Sequence, residues 1–409
     1  MGFHSKSTQK VLGLLFLWIL SCFFKIAPSS EEVPVLSLSQ QEVSHLFAGV
    51  NLGGDFPEVI EFQSERLGKL SLHLRYSFEP GLQRDMERFF KLYHPDYGAF
   101  VAADPQTGRV LSLVSFADEP MVGNLALRAT FPSASVFKVV TAAAAIETQH
   151  VSADTLIAFH GKSHTLYRGQ VMNSHRNRWT RFVTLKDAFA KSVNAAFAKM
   201  GVFTVGADGL RLYADRFGFN RKIEGDLPVQ EGRAPVPGDF WGLAETASGF
   251  TRENTMSPLQ GALMAASVVN GGVMMKPYVV ESISTTENRL YQVEPQVSGV
   301  PIAPETALVM RDLMQETVLT GTSKKSFRGF FKKSLMELEV GGKTGSLTGN
   351  QPPGKYDWFI GYADSGTKKI AFAVLTIHKK QWRVKSAYLA RLAIESYFKG
   401  SRNAVVARR

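Results

Sequence analysis

From residue 69 onward, short apolar runs alternate with segments of helical spacing. LSLHLRYS (70–77) alternates with period two and predicts a strand. Pro80 then opens GLQRDMERFFKLY (81–93), a predicted helix with proline in its first turn. GAFVAAD (98–104) and RVLSLVSF (109–116) predict apolar strands, and Asp104-Pro105-Gln106-Thr107-Gly108 between them has hairpin chemistry. SVFKVVTAAAAIETQ, from Ser135, predicts a long Ala-rich helix. Two more helices are expected, over 185–201 and over 257–272, each closing on glycine. LEVGGKTGS (338–346), DWFIGYA (357–363) and KIAFAVLTIH (369–378) predict strands, and RVKSAYLARLAIESYF (383–398) an amphipathic helix.

Strands near both ends with helices between them predict an α/β (α+β) fold, with one central antiparallel sheet assembled from both ends of the chain. No internal repeat or low-complexity block interrupts it. Residues 31–69 carry no motif and read as an extension or linker; 400–409 read as a tail. VLGLLFLWILSCFF (11–24) follows His4, Lys6 and Lys10 and precedes a polar exit, the pattern of a signal peptide or membrane anchor within residues 1–30. The positive flank predicts that everything after it is sent outward, into the cell envelope. The run is short for a span. Cleavage, retention as an anchor and secretion all stay open, as does lipidation at Cys22, because Ile19-Leu20-Ser21-Cys22 resembles a lipobox.

The net charge is +11. Along the chain the cations are scattered or paired, as in Lys379-Lys380, with no basic tail, and nucleic acid is not an expected partner. The plain reading is a solvated basic surface; the functional one is attraction to an anionic polymer or membrane face. Cys22 is the only cysteine, so no intramolecular disulfide forms. His160 and His164 have the spacing of a zinc helix, but Gly161 lies between them and no Glu follows His160. They read as a loop pair, and neither a metal nor a cofactor is expected.

One polar pair inside an apolar run carries chemistry. In FPSASVFKVV (131–140), Ser135 and Lys138 stand one helical turn apart and so share a face. A serine hydroxyl needs a base to become a nucleophile. Lysine serves only when neutral, and burial or a second cation favours that form. Ser-x-x-Lys occurs four times, also at Ser7/Lys10, Ser365/Lys368 and Ser396/Lys399, where an n-region, a polar turn and a helix end account for it. For Ser135 alone, a capping serine with a surface lysine explains the pair as well.

The order of motifs separates these readings. Ser135-x-x-Lys138 is followed by Ser192-Val193-Asn194 and then by Lys343-Thr344-Gly345. That order is the signature of penicillin-binding proteins and serine β-lactamases. The chain resembles the penicillin-binding transpeptidase domain over roughly residues 70–399. Phe131-Pro132 before the serine, Ser257-Pro258-Leu259-Gln260, Gly321-Thr322 and Trp358-Phe359-Ile360-Gly361-Tyr362 extend the resemblance. It implies a β-lactamase/transpeptidase-like fold, with helices flanking the sheet and an all-helical lobe. It further implies that Ser135 attacks a D-alanyl-D-alanine peptide or a β-lactam and that Lys138 takes its proton. Ser192 would relay protons to the leaving amine, while Asn194 holds Lys138 and the substrate amide. Lys343 would help keep Lys138 deprotonated, Thr344 bind the substrate carboxylate, and Gly345 let the strand approach. The backbone N–H groups of Ser135 and Ser346 would form the oxyanion hole.

Members differ in what breaks the acyl-serine: an amine of another peptide, or water. Glu224 and Glu231 follow the second motif but do not match the Glu-x-x-Leu-Asn of class A β-lactamases. Asn194 stands where class D enzymes carry valine. The resemblance therefore implies a peptidoglycan D,D-transpeptidase with stem peptides and β-lactams as partners. A β-lactamase, a D,D-carboxypeptidase and a non-turnover penicillin sensor remain as alternatives.

Overall fold

The computed structural model describes residues 37–48, 56–64, 68–119, 123–173, 175–331 and 337–406. The apolar run 11–24 and Cys22 lie outside them. Among the described residues no helix is long and apolar enough to cross a membrane.

The five strongest apolar runs form one antiparallel sheet in the order Glu339–Asn350, Pro353–Asp364, Lys369–His378, Tyr97–Ala103, Val110–Ala117. The two ends of the chain thus meet in its middle, where Ala373 pairs with Val101. Both faces of the sheet are covered at its centre, so its three inner strands are apolar at most positions rather than at alternate ones. Phe359, Phe372 and Val374 pack on one face with the helices Pro80–Tyr93 and Ser386–Val406. Trp358, Ile360, Ala373 and Leu375 face the opposite way, into the larger core. In that core the helix Pro258–Val269 is buried at all twelve positions, as its composition, apolar but for Gln260 and Ser267, requires. Ser257 caps it by accepting from the Gln260 N–H at 3.1 Å, and Pro258 fills its first turn.

Three predicted elements differ in detail. The expected helix from Ser135 begins as a 3-10 turn, Ala134–Phe137, and becomes α-helical at Lys138–Gln149. The last helix is Ser386–Val406, starting later and running past the predicted end at 398. The helix expected over 185–201 is broken into Leu185–Ala190 and Asn194–Met200. At the break Ser192 is left-handed, with φ 54°. Its N–H donates to Phe189 O at 3.1 Å, and the Val193 N–H reaches Ala188 O at 2.8 Å. These paired bonds make a Schellman cap, in which the left-handed place is usually glycine. Helical spacing continues across the break, which is why the sequence reads as one helix.

Residues 33–68, which showed no motif, contribute real elements. Ser39 and Glu42 form a capping box, with Ser39 N–H to Glu42 Oε2 at 2.8 Å and Glu42 N–H to Ser39 Oγ at 3.3 Å. They open the helix Gln40–Ala48, whose Val43 and Phe47 are fully buried. The strand Val59–Ser64 pairs with Gly68–Tyr76, and that strand pairs in turn with Val280–Ser284.

The left-handed serine gives a stability test. A residue with a Cβ costs about 1 kcal/mol at such a φ, which glycine avoids. Ser192→Gly is expected to exceed Ser192→Ala in unfolding free energy by about that amount in urea titrations. Equal stabilities would show that the backbone there carries no strain.

Candidate active site

The three motifs, far apart in sequence, converge on one cleft of 470 Å³ lined by Ser135, Ser192, Asn194, Thr344, Gly345 and Ser346. A larger hollow of 630 Å³ lies past the far end of the same edge strand, beside Arg233, Arg252 and Gln351. No residue of the three motifs lines that hollow, so the chemistry belongs to the smaller space.

The first two motifs are delivered by element ends and the third by the middle of a strand. The 3-10 turn places Ser135 and Lys138 almost in line, as residues three apart are in that geometry. Ala134, just before the serine, is itself left-handed with φ 49° and fully buried. Gly249, at φ 67°, ends the helix Phe240–Ser248 against this turn. A Cβ on Gly249 would come within 2.0 Å of Ala134 O. The Schellman break turns Ser192 towards Lys343, and Asn194 opens the next helix. Lys343, Thr344, Gly345 and Ser346 lie on Glu339–Asn350, an edge strand of the main sheet. Gly345 passes so close to the serine turn that a Cβ would meet Ser133 O and Val136 Cγ2 at 3.1 Å. The Trp358 indole N–H, donating to Pro132 O at 2.8 Å, ties the sheet to that turn.

Lys138 is the centre of the site. It is fully buried, and its Nζ lies 2.8 Å from Ser135 Oγ, 2.8 Å from Asn194 Oδ1 and within hydrogen-bond reach of Ser248 O. The last two are pure acceptors. The orientation of the Asn194 amide is fixed because its Nδ2 donates to His164 O at 3.0 Å. A neutral amine has two N–H donors and one lone pair. With both donors given to Asn194 and Ser248, the lone pair is left facing the Ser135 hydroxyl. Burial first, and the charge of Lys343 second, push the Lys138 pKa well below the ordinary lysine value.

Lys343 is also fully buried, and burial brings it down to about 7. It donates to Ser192 Oγ at 3.1 Å and to Thr344 O at 2.8 Å. Ser135 and Asn194 are thus joined through Lys138, and Ser192 is joined to Lys343, two sets of hydrogen bonds bordering one cleft. Thr344 Oγ1 meets Thr322 Oγ1 at 2.6 Å on the opposite side of the strand's edge, giving two hydroxyls that can receive a carboxylate. The exposed edge strand offers backbone groups on which an extended peptide can lie.

All eight residues singled out in the sequence are found here. The sequence did not point to Ser248 and His164, which act through main-chain carbonyls that have no side-chain signature. Thr322 lay in the noted Gly321-Thr322 turn without a role. Glu224 pairs with Lys276 at 2.7 Å, and Glu231 lines the other hollow. The carboxylate lining the cleft is Asp357. It is pushed up to about 6 by desolvation, and its Oδ2 accepts from the Ser386 N–H at 2.7 Å. His160 and His164 lie in a loop, and no cluster of metal-ligating side chains is found among the described residues.

Comparison with known proteins agrees with this geometry. Residues 98–393 match the family model described as the penicillin binding protein transpeptidase domain. The chain is 31% identical over 329 residues to the peptidoglycan D,D-transpeptidase PbpA of Mycobacterium tuberculosis, covering 69% of this chain and 62% of that protein. It is 26% identical over 319 residues to the stage V sporulation protein D of Bacillus subtilis, covering 73% of this chain and 48% of that one. It thus spans less than two thirds of the length of these curated relatives. Among solved structures it is similar to penicillin-binding protein A from M. tuberculosis in its penicillin G acyl-enzyme complex. The TM-score is 0.65 and the identity 26%, over 80% of each chain. The chain belongs to the penicillin-binding protein transpeptidase family.

Proposed function

We propose that this chain is a peptidoglycan D,D-transpeptidase of the cell envelope, held at the membrane by its N-terminal apolar segment, with Ser135 as nucleophile. One observation carries the reading: Lys138 Nζ, stripped of solvent, sits 2.8 Å from Ser135 Oγ with its other bonds committed to acceptors.

The stem peptide lies along the edge strand, its terminal carboxylate on Thr344 and Thr322. Ser135 Oγ attacks the carbonyl carbon of the penultimate D-alanine while its proton passes to Lys138. The oxyanion forms towards the N–H groups of Ser135 and Ser346. Collapse breaks the C–N bond, and the departing D-alanine amine takes a proton through Ser192. An acceptor amine then attacks the ester, gives up its proton along the same route and restores the serine hydroxyl. A β-lactam follows the first half of this course and leaves an ester on Ser135.

Transfer is favoured over hydrolysis because Glu224 and Glu231 lie outside the cleft, so neither activates water there. Asp357 is engaged by the backbone at Ser386.

A fluorescent penicillin is expected to label the protein once, with Ser135→Ala losing the label. Lys138→Arg, which cannot deprotonate, should slow labelling by about 10²–10⁴-fold. Undiminished labelling of either variant, or rapid turnover of a chromogenic cephalosporin, would overturn the assignment.

The acylation rate should also rise with pH, because only neutral Lys138 accepts the proton. The charge on Lys343 holds Lys138 down, so Lys343→Ala should move that rising limb to higher pH. A limb that stays in place would remove Lys343 from this role.

A further inference from the structure

The cations that read as scattered along the whole chain are unopposed over one stretch, 155–186, whose His164 lines the cleft. Between Asp154 and Asp187 there is no acidic residue, although a stretch of that length would hold about three at the chain's composition. It does hold Lys162, Arg168, Arg176, Arg178, Arg181 and Lys186. Lys186 pairs with Asp312 at 3.1 Å. The other five are exposed and make no ion pair among the described residues. Tyr167, Trp179 and Phe182 stand among them, 59%, 68% and 52% exposed. Arg178 lies over the Trp179 ring at 4.9 Å and Arg176 over Phe182 at 5.6 Å. Water-facing aromatics of this size amid charge of one sign mark an interaction surface.

The face is firmly built. The strands Leu156–Phe159 and Arg181–Thr184 pair as a hairpin. Lys199, only 8% exposed, donates to Asn173 O and lies 3.3 Å from His160 Nδ1. His160 Nε2 is 3.0 Å from Thr180 Oγ1. The Asn194 N–H donates to Ser163 O at 2.7 Å. The loop is thereby pinned to the helix that carries Asn194, and its His164 lines the catalytic cleft.

We propose that this face is a docking platform for a glycan polymer bearing carboxylate-rich peptides, the polymer whose stem enters the cleft. The inference rests on the proposed function and says where the rest of the substrate lies. A stem that passes His164 to reach Ser135 brings neighbouring stems and sugars over the hairpin. Guanidinium groups pair with carboxylates, and the apolar faces of sugar rings stack on exposed aromatics. An anionic lipid surface would satisfy the charges but would send nothing into the cleft.

The test is co-sedimentation of the protein with purified peptidoglycan sacculi. R176E/R178E should lower retention by about tenfold at low salt, and raised salt should weaken the wild type similarly. W179A/F182A should also reduce retention. Penicillin labelling, which reports on the fold and on Ser135, should be unchanged in both variants. If the charge reversal also loses labelling, R176Q/R178Q replaces it with a smaller expected loss. Unchanged retention of the charge variant would overturn the proposal. So would equal retention on glycan strands stripped of stem peptides, or binding to phosphatidylglycerol vesicles in place of sacculi. A wild-type protein that takes no penicillin would strike the proposed function instead, leaving retention as a separate reading of the surface.

Discussion

The site depends on keeping two lysine amines, those of Lys138 and Lys343, away from water and close to each other. Moving an ammonium group into such an interior costs several kcal/mol, and no carboxylate is among the causes that set either pKa. The least costly state at Lys138 is the uncharged amine, and that state is the useful one. Its two hydrogens have fixed acceptors and its lone pair has Ser135. Everything else can be understood as holding this arrangement in place: the Asn194 amide pinned by His164 O, the Ser248 carbonyl presented at a helix end, and Gly249 packed under the serine turn.

These supports come from parts of the chain that cannot touch without the large core. The sheet joins both termini of the domain, and the helix Pro258–Val269 fills the space beneath it. Backbone strain gathers where the elements end. Ala134 and Ser192 are both left-handed without being glycine, and both stand at the reacting groups. Such conformations persist only where the surroundings over-determine them.

The pattern of apolar positions was enough to place the five central strands, since the three inner ones are buried on both faces and read as nearly continuous apolar runs. It also located the serine and third motifs on the correct elements. It failed at the Ser192 break, because a Schellman turn preserves helical spacing and here lacks its usual glycine. It failed at residues 40–64, whose strand is part of a sheet completed by Val280–Ser284, more than two hundred residues away. The capping box at Ser39 and Glu42 was visible there and marks the helix start. Ser248 and His164 had no readable signal, because any residue could supply their carbonyls. The basic face was legible as well: 155–186 holds six cations and no acid, a local excess that a reading of charge over the whole chain averages away.

The strand that carries Lys343 has a further consequence for the life of the protein in solution. Its outer rim borders the cleft, and any open rim can recruit a stray strand from another molecule. Four of its twelve residues, Gly341, Gly342, Gly345 and Gly349, have no side chain, and all four are buried, with neighbouring atoms filling the place a Cβ would take. Only Ser346, Thr348 and Asn350 of the strand are exposed, so a foreign strand would find a short polar stretch, and such pairings stay weak and reversible. The short polar opening beside the serine therefore also limits unwanted self-association.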